Sequence, residues 1–231
     1  YTFAELTGAD DPALPEIRRL YESEPLHVAR GDDADFYLSL IMWRSRPFVC
    51  REPDGRFAGY LCTNASYDGV SEVFAADEAY VPGMLKAWMA FRGLSSLELT
   101  LPPWRRALLR ELTSFCAGFS TIADHMYRIL NWDRVTDALL ALRARYTALP
   151  EGEVVLRLGD WGNLLMRVRG GETLCARTGR PAEAVLTEAQ AMRALFGPLA
   201  PGASAALPEN AERLLDAWCP LPLSWHSLDN V

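Results

Sequence analysis

The run PFVCRE, the turn Pro53-Asp54-Gly55-Arg56 and the run FAGYLCT read as a β-hairpin, and Tyr67-Asp68-Gly69 leads directly into a third β-rich run, VSEVFAA. Proline presets the φ angle a turn needs, glycine supplies a positive one, and aspartate bonds its own backbone two residues on. The chain therefore reverses twice in quick succession, and the three runs must pair as neighbours. Such a meander needs helices to cover it, and the flanking patterns are helical.

Before the hairpin, YTFAEL alternates as a strand does. Asp10-Asp11-Pro12 then supplies a cap and a first-turn proline for a helix reaching about Ser23. A second helix is expected after Asp32-Asp33, with Phe36, Tyr37, Leu40, Ile41 and Trp43 on its buried side. After the third strand, Pro82 opens a helix through Met84, Leu85, Trp88, Met89 and Phe91. A strand, SLELTLP, follows, stopped by Pro102-Pro103, and the helix WRRALLRELTSF places Leu108, Leu109 and Leu112 at helical spacing.

The pattern restarts with HMYRILNW, an alternating strand, and a helix from Asp133 to Tyr146. EVVLRL, NLLMRVR, ETLCART and AEAVLT come next, and the turn residues between them favour antiparallel pairing. Thr187-Glu188-Ala189-Gln190 reads as a helix entry, and AERLLDAWC as a last amphipathic helix before an apolar tail, LPLSWHSLDNV. The change of element order predicts two domains, residues 1–123 and 124–231, of α/β and α+β class.

A net charge of −7 argues against nucleic-acid binding, which needs clustered Lys and Arg in excess. Lys86 is the single lysine, and arginine supplies the remaining positive side chains. Cys50, Cys62, Cys116, Cys175 and Cys219 form no close pair, so reduced, buried thiols are expected rather than disulfides. His27, His125 and His226 lie far apart without metal-binding partners, so no metal is expected. Asp124 and His125 are neighbours on a predicted strand and so point to opposite faces. No apolar run reaches the length of about 20 residues that a membrane helix needs, and no signal segment opens the chain; a cytoplasmic protein without a membrane partner is expected. Since the first residue is Tyr1 rather than methionine, the chain is expected to be part of a longer protein.

The element order of the first half resembles that of GNAT acetyltransferases. MYRILNW, the helix after it, EVVLRL and LTEAQAMRALFGPL resemble the sterol-carrier-like (SCP2-like) domain that closes the enhanced-intracellular-survival type of these enzymes. In that family a catalytic GNAT domain precedes a degenerate one and the closing domain, and this chain looks like the last two. The resemblance implies a mixed GNAT-like sheet with flanking helices, a missing N-terminal catalytic GNAT domain as partner, homo-oligomerisation and an amine substrate. It implies acetyl-CoA as cofactor of the parent enzyme.

A functional GNAT domain of this kind binds the cofactor's pyrophosphate on backbone amides at a helix start, using an Arg or Gln and closely spaced glycines. The matching stretch here is AADEAYVPG, where Asp77 and Glu78 repel phosphate, Pro82 lacks an amide hydrogen, and Gly83 alone permits close approach. No cofactor is therefore expected on this chain. The family's general acid is a tyrosine of the first domain, which lies outside this sequence. Its general base is the terminal carboxylate, which maps onto Val231, with Trp225 and His226 lining the substrate site. The alternative for the tail is packing alone.

Two other readings stay open. A lipid-binding module would use Leu164, Leu165, Met166 and residues 192–199 to line a tunnel, and a purely structural closure module would need no ligand. Trp104, beside Arg105 and Arg106, is a candidate for the seam to a further domain.

Overall fold

The computed structural model describes residues 1–121, 128–223 and 228. These fall into two compact units, one over residues 1–118 with Leu228, the other over the described residues from 119 to 223.

The first unit runs β1 (Thr2–Glu5), α1 (Leu14–Ser23), α2 (Asp33–Leu40), β2 (Arg46–Arg51), β3 (Phe57–Thr63), β4 (Gly69–Ala75), α3 (Val81–Arg92), β5 (Glu98–Leu99) and α4 (Arg106–Thr113). Strands β1 to β4 pair antiparallel in chain order, while β5 joins β4 in parallel. Parallel neighbours need a crossover, and α3 provides it. Each helix has a local cause: Pro15 sits in the first turn of α1, and the Asp32 carboxylate accepts from Ala34 and Asp35 N–H at the start of α2.

One sheet face carries Val49, Tyr60, Cys62 and Phe74 against Leu14, Ile17 and Tyr21 of α1 and Phe36 and Leu40 of α2. The opposite face carries Phe48, Cys50, Leu61 and Val73 against Val81, Met84, Leu85 and Trp88 of α3 and Leu108 of α4. The period of two along β2 and β3 thus feeds two separate apolar layers, which is why these strands are apolar nearly throughout.

Two expectations need correcting here. Helix α2 stops at Leu40, and Trp43 and Arg44 adopt left-handed backbone angles (φ 58° and 63°), so Trp43 turns outward and is 72% exposed instead of buried. The predicted strand SLELTLP pairs over two residues only, because Pro102 and Pro103 prevent further laddering.

The second unit comprises α5 (Trp132–Ala144), β6 (Gly152–Leu158), β7 (Gly162–Arg169), β8 (Glu172–Thr178), β9 (Ala184–Leu186), α6 (Glu188–Phe196), α7 (Pro201–Ser204) and α8 (Glu209–Trp218). Its sheet order is β8-β7-β6-β9. Strands β6, β7 and β8 form the expected antiparallel meander, but β9 pairs with β6 in parallel. The segment after β8 carries the chain across to the far edge of β6, held by an Arg180–Glu153 ion pair and by Asn163 Nδ2 donating to Arg180 O (2.7 Å). Glycine and proline there mark a change of direction without specifying which edge the chain reaches.

The remaining free edge, β8, is covered by α5, whose Asp137 carboxylate accepts from Cys175 N–H at 2.7 Å. The strand expected over 125–132 is not present in its described part: residues 128–131 are irregular, and the Asn131 side chain accepts from Arg134 N–H to start α5. At α6 the Thr187–Gln190 capping box is complete, as its sequence suggests.

Four of the five cysteines are buried, and burial pushes the Cys50 and Cys175 thiols up to about 12; Cys116 departs from expectation and is exposed.

The tightest steric demand lies at Gly59 in β3, where φ is +155° and a methyl group would fall 2.1 Å from the carbonyl oxygen of Phe74. Gly93, which ends α3 at φ +66°, has open space around it. We predict that Gly59→Ala costs about 3 kcal/mol or more, against about 1 kcal/mol for Gly93→Ala, in urea unfolding. Equal effects of the two would contradict the close β3–β4 approach.

Candidate functional site

Strand β4 hands the chain to α3 through a single 3-10 turn, Glu78–Tyr80. The Asp77 carboxylate accepts from Ala79 N–H (3.0 Å), Asp77 O accepts from Tyr80 N–H (2.9 Å), and Glu78 O accepts from Val81 N–H. Pro82 has no N–H to offer. A helix start ordinarily presents several unpaired amides and a partial positive charge. Here the amides of residues 79 to 81 are satisfied internally, and the Asp77 carboxylate caps the turn that leads into the helix. Gly83 does not give open access either: a methyl group there would meet the Tyr1 ring at 3.5 Å.

The surroundings are acidic. Glu78 Oε1 accepts from Arg105 Nε (2.9 Å), and Arg105 Nη1 also donates to Val73 O (2.5 Å), so this buried guanidinium braces β4. Glu24 lies near both; burial raises its carboxyl above the usual range, Arg105 opposes the shift and Glu78 adds to it.

A second polar group lies inside the sheet layer. Glu72, on β4, is fully buried and is met by Arg30 in a two-pronged contact (Nη2 to Oε2 2.6 Å, Nη1 to Oε1 3.2 Å) and by the Tyr60 hydroxyl, which donates to Oε1 at 2.6 Å. The Arg30 guanidinium stacks on the Tyr21 ring at 3.8 Å. Burial, followed by the negative charge of Glu72, raises the Tyr60 hydroxyl well above its ordinary range, so it stays a donor. The lone glutamate in the otherwise apolar run of β4 was the sequence signal for this group, and turn and helix patterns do not register it.

Two crystal structures of bacterial GCN5-related N-acetyltransferases are similar to this chain. The one from Kribbella flavida is 17% identical over 94% of the present chain and 57% of its own, with a TM-score of 0.50. The one from Anabaena variabilis is 18% identical over 94% and 59% respectively, also with a TM-score of 0.50. The chain has the GNAT fold. It spans under three fifths of the length of either of these proteins. Neither any protein-family model nor any curated protein matches the sequence.

Within this GNAT fold the sequence-predicted residues are distributed as follows. Asp77, Glu78, Pro82 and Gly83 come together at the α3 entrance as anticipated. Val231, Trp225 and His226 lie outside the described residues, as do Asp124 and His125. His27 is exposed, its Nδ1 2.7 Å from Glu24 O and its ring against Tyr21. Arg105 is a buried strut inside the first unit, so this member of the Trp104–Arg106 set is no surface contact. Leu164, Met166 and Leu195 are buried in one cluster with Trp132 and Trp218. Among the described residues there is no group of three or more His, Cys, Asp or Glu able to hold a metal ion, and no helix long and apolar enough to cross a membrane.

Two measurements test these arrangements. Arg30→Met leaves Glu72 without its counter-ion and is predicted to cost about 3–5 kcal/mol, whereas pairing it with Glu72→Leu recovers a large part of that loss. Additive losses in chemical unfolding would contradict the coupling. Glu24 has a raised folded-state pKa, so ionising it opposes folding as pH rises through the carboxylate range. Glu24→Gln is therefore predicted to raise the melting temperature at neutral pH and to leave it unchanged below about pH 4, where the carboxyl is protonated in both states.

Proposed function

We propose that this chain is the C-terminal part of an acetyl-CoA-dependent N-acetyltransferase of the enhanced-intracellular-survival type, and that its own GNAT unit does not carry the cofactor. The observation behind this reading is the α3 entrance: within a fold shared with N-acetyltransferases, the turn that leads into α3 is capped by the Asp77 carboxylate, and Pro82 offers no amide hydrogen. A phosphate brought there would lose the hydrogen bonds that water gives it and meet like charge instead.

On this proposal the reaction takes place with a preceding catalytic domain. The acceptor amine attacks the thioester carbonyl, an N–C bond forms as the C–S bond breaks, a base takes the amine proton, and an acid protonates the leaving thiolate. The acid belongs to the catalytic domain; the terminal carboxylate of Val231 would serve as base, with Trp225 and His226 beside the acceptor. The second unit would be the sterol-carrier-like closing domain, acting in a cytoplasmic homo-oligomer. We prefer this to a lipid-carrier role because Leu164, Met166 and Leu195, which would line a tunnel, are used in the core.

Calorimetry with acetyl-CoA on this chain is predicted to give no saturable heat. Stoichiometric binding in the micromolar range would overturn the proposal, and loss of that binding on Gly83→Asp would locate it at the α3 entrance.

A further inference from the structure

At the other end of β4, where the strand begins, lies a groove of about 310 Å³ whose lining includes Met42, Ser45, Thr63, Val70, Ser71 and Leu228. The first five come from the turn between α2 and β2 and from strands β3 and β4. Leu228 does not: it stands beyond the last helix of the second unit, yet it is only 4% exposed and packs in the apolar cluster of the first unit with Leu6, Leu40, Val49 and Tyr60. A few residues earlier, Leu221 and Leu223 pack in the cluster of the second unit. The chain leaves one core and gives a leucine to the other, and that leucine is also a wall of the groove.

The end of a chain stays in place only where its side chains tie it down. Burying one leucine takes its methyl groups out of water and supplies such a tie, and because the leucine lines the groove, the tie lies there. The other walls suit the residues that flank Leu228 in sequence. Ser45 Oγ donates to Thr63 O (3.3 Å) and Ser71 Oγ to Cys62 O (3.2 Å), so both hydroxyls retain acceptor lone pairs. Asn64 gives one amide hydrogen to Asp68 (2.9 Å) and keeps another, and Thr100 adds a hydroxyl. Charges of both signs are present, Glu98 in the lining and the exposed Arg44 beside the lining residue Trp43. Ser227, Asp229 and Asn230 bring a hydroxyl, a carboxylate and an amide, which between them suit the arginine, the donors and the acceptors. A wall of mixed polarity selects poorly among small ligands of one charge, and it fits a peptide with an apolar anchor and polar flanks.

We infer that this groove is the seat of the chain's own C-terminal segment, residues 224–231, with Leu228 as its anchor. It stands on the groove and on Leu228 and does not depend on the acetyltransferase reading. The consequence is topological: the first unit takes a core residue from beyond the second, so it closes only once the chain through Leu228 is present.

The test keeps the whole chain. Trimming by a broad-specificity carboxypeptidase, followed by mass spectrometry, is expected to slow at least about tenfold on reaching Leu228. Met42→Asp, which sets a charge against the groove and leaves the tail sequence unchanged, is expected to remove that block. Equal rates in the two proteins, whether fast or slow, overturn the inference. In Leu228→Ser the backbone amide resonances of Thr63, Asn64, Gly69 and Ser71 are expected to move while those of β6 and β7 stay, and unmoved groove resonances overturn it. Should the serine variant fail to fold, nuclear Overhauser contacts in the parent between the Leu228 methyl groups and those of Met42, Thr63 or Val70 decide the matter: their presence is expected and their absence overturns it. Protection that vanishes on about hundredfold dilution would assign the groove to the tail of a second copy and overturn it as well.

Discussion

A full charge sits in the middle of a β-sheet at Glu72, and the first unit is arranged around the need to neutralise it. Taking a carboxylate out of water costs several kcal/mol even after relaxation, and only a counter-ion with further hydrogen bonds offsets that. Arg30 must therefore reach in from the loop after α1, Tyr60 must donate from β3, and Tyr21 and Phe36 must stack on the guanidinium. These demands fix how α1 and α2 lie on that face of the sheet. They also direct the interior polarity of the unit toward the protein's own groups.

Strand β4 is consequently the axis of the functional account. Its middle holds the neutralised charge, its end passes into a carboxylate-capped turn, and its beginning pairs in parallel with β5. A helix entrance binds an anion when its amides are unpaired and its field is unopposed. In this protein Asp77 takes up the Ala79 amide in the turn before α3 and brings a negative side chain close to that entrance. On the proposed reading, the GNAT fold is kept while this helix entrance is closed to a diphosphate.

Much of the fold was legible from residue order. Pro53-Asp54-Gly55 and Tyr67-Asp68-Gly69 specify their hairpins locally, and Asp32 and Thr187 cap their helices. What escaped depends on distant partners. Whether β9 adds beside β8 or beyond β6 is decided by which edge is open, and α5 covers β8 through Asp137. Trp43 continues the apolar spacing of α2, so only the left-handed turn after Leu40 reveals that it faces outward. Glu98 looks like an ordinary strand charge until Gly69 is paired with it.

The central claim is that the amides at the start of α3 are closed to a nucleotide diphosphate. The most direct test is to record backbone amide resonances of residues 77 to 81 and of Gly83 while adding coenzyme A. The account predicts that they stay where they are throughout the titration. Saturable shifts centred on Ala79, Tyr80 and Gly83 would contradict it and make this GNAT unit a cofactor-binding one.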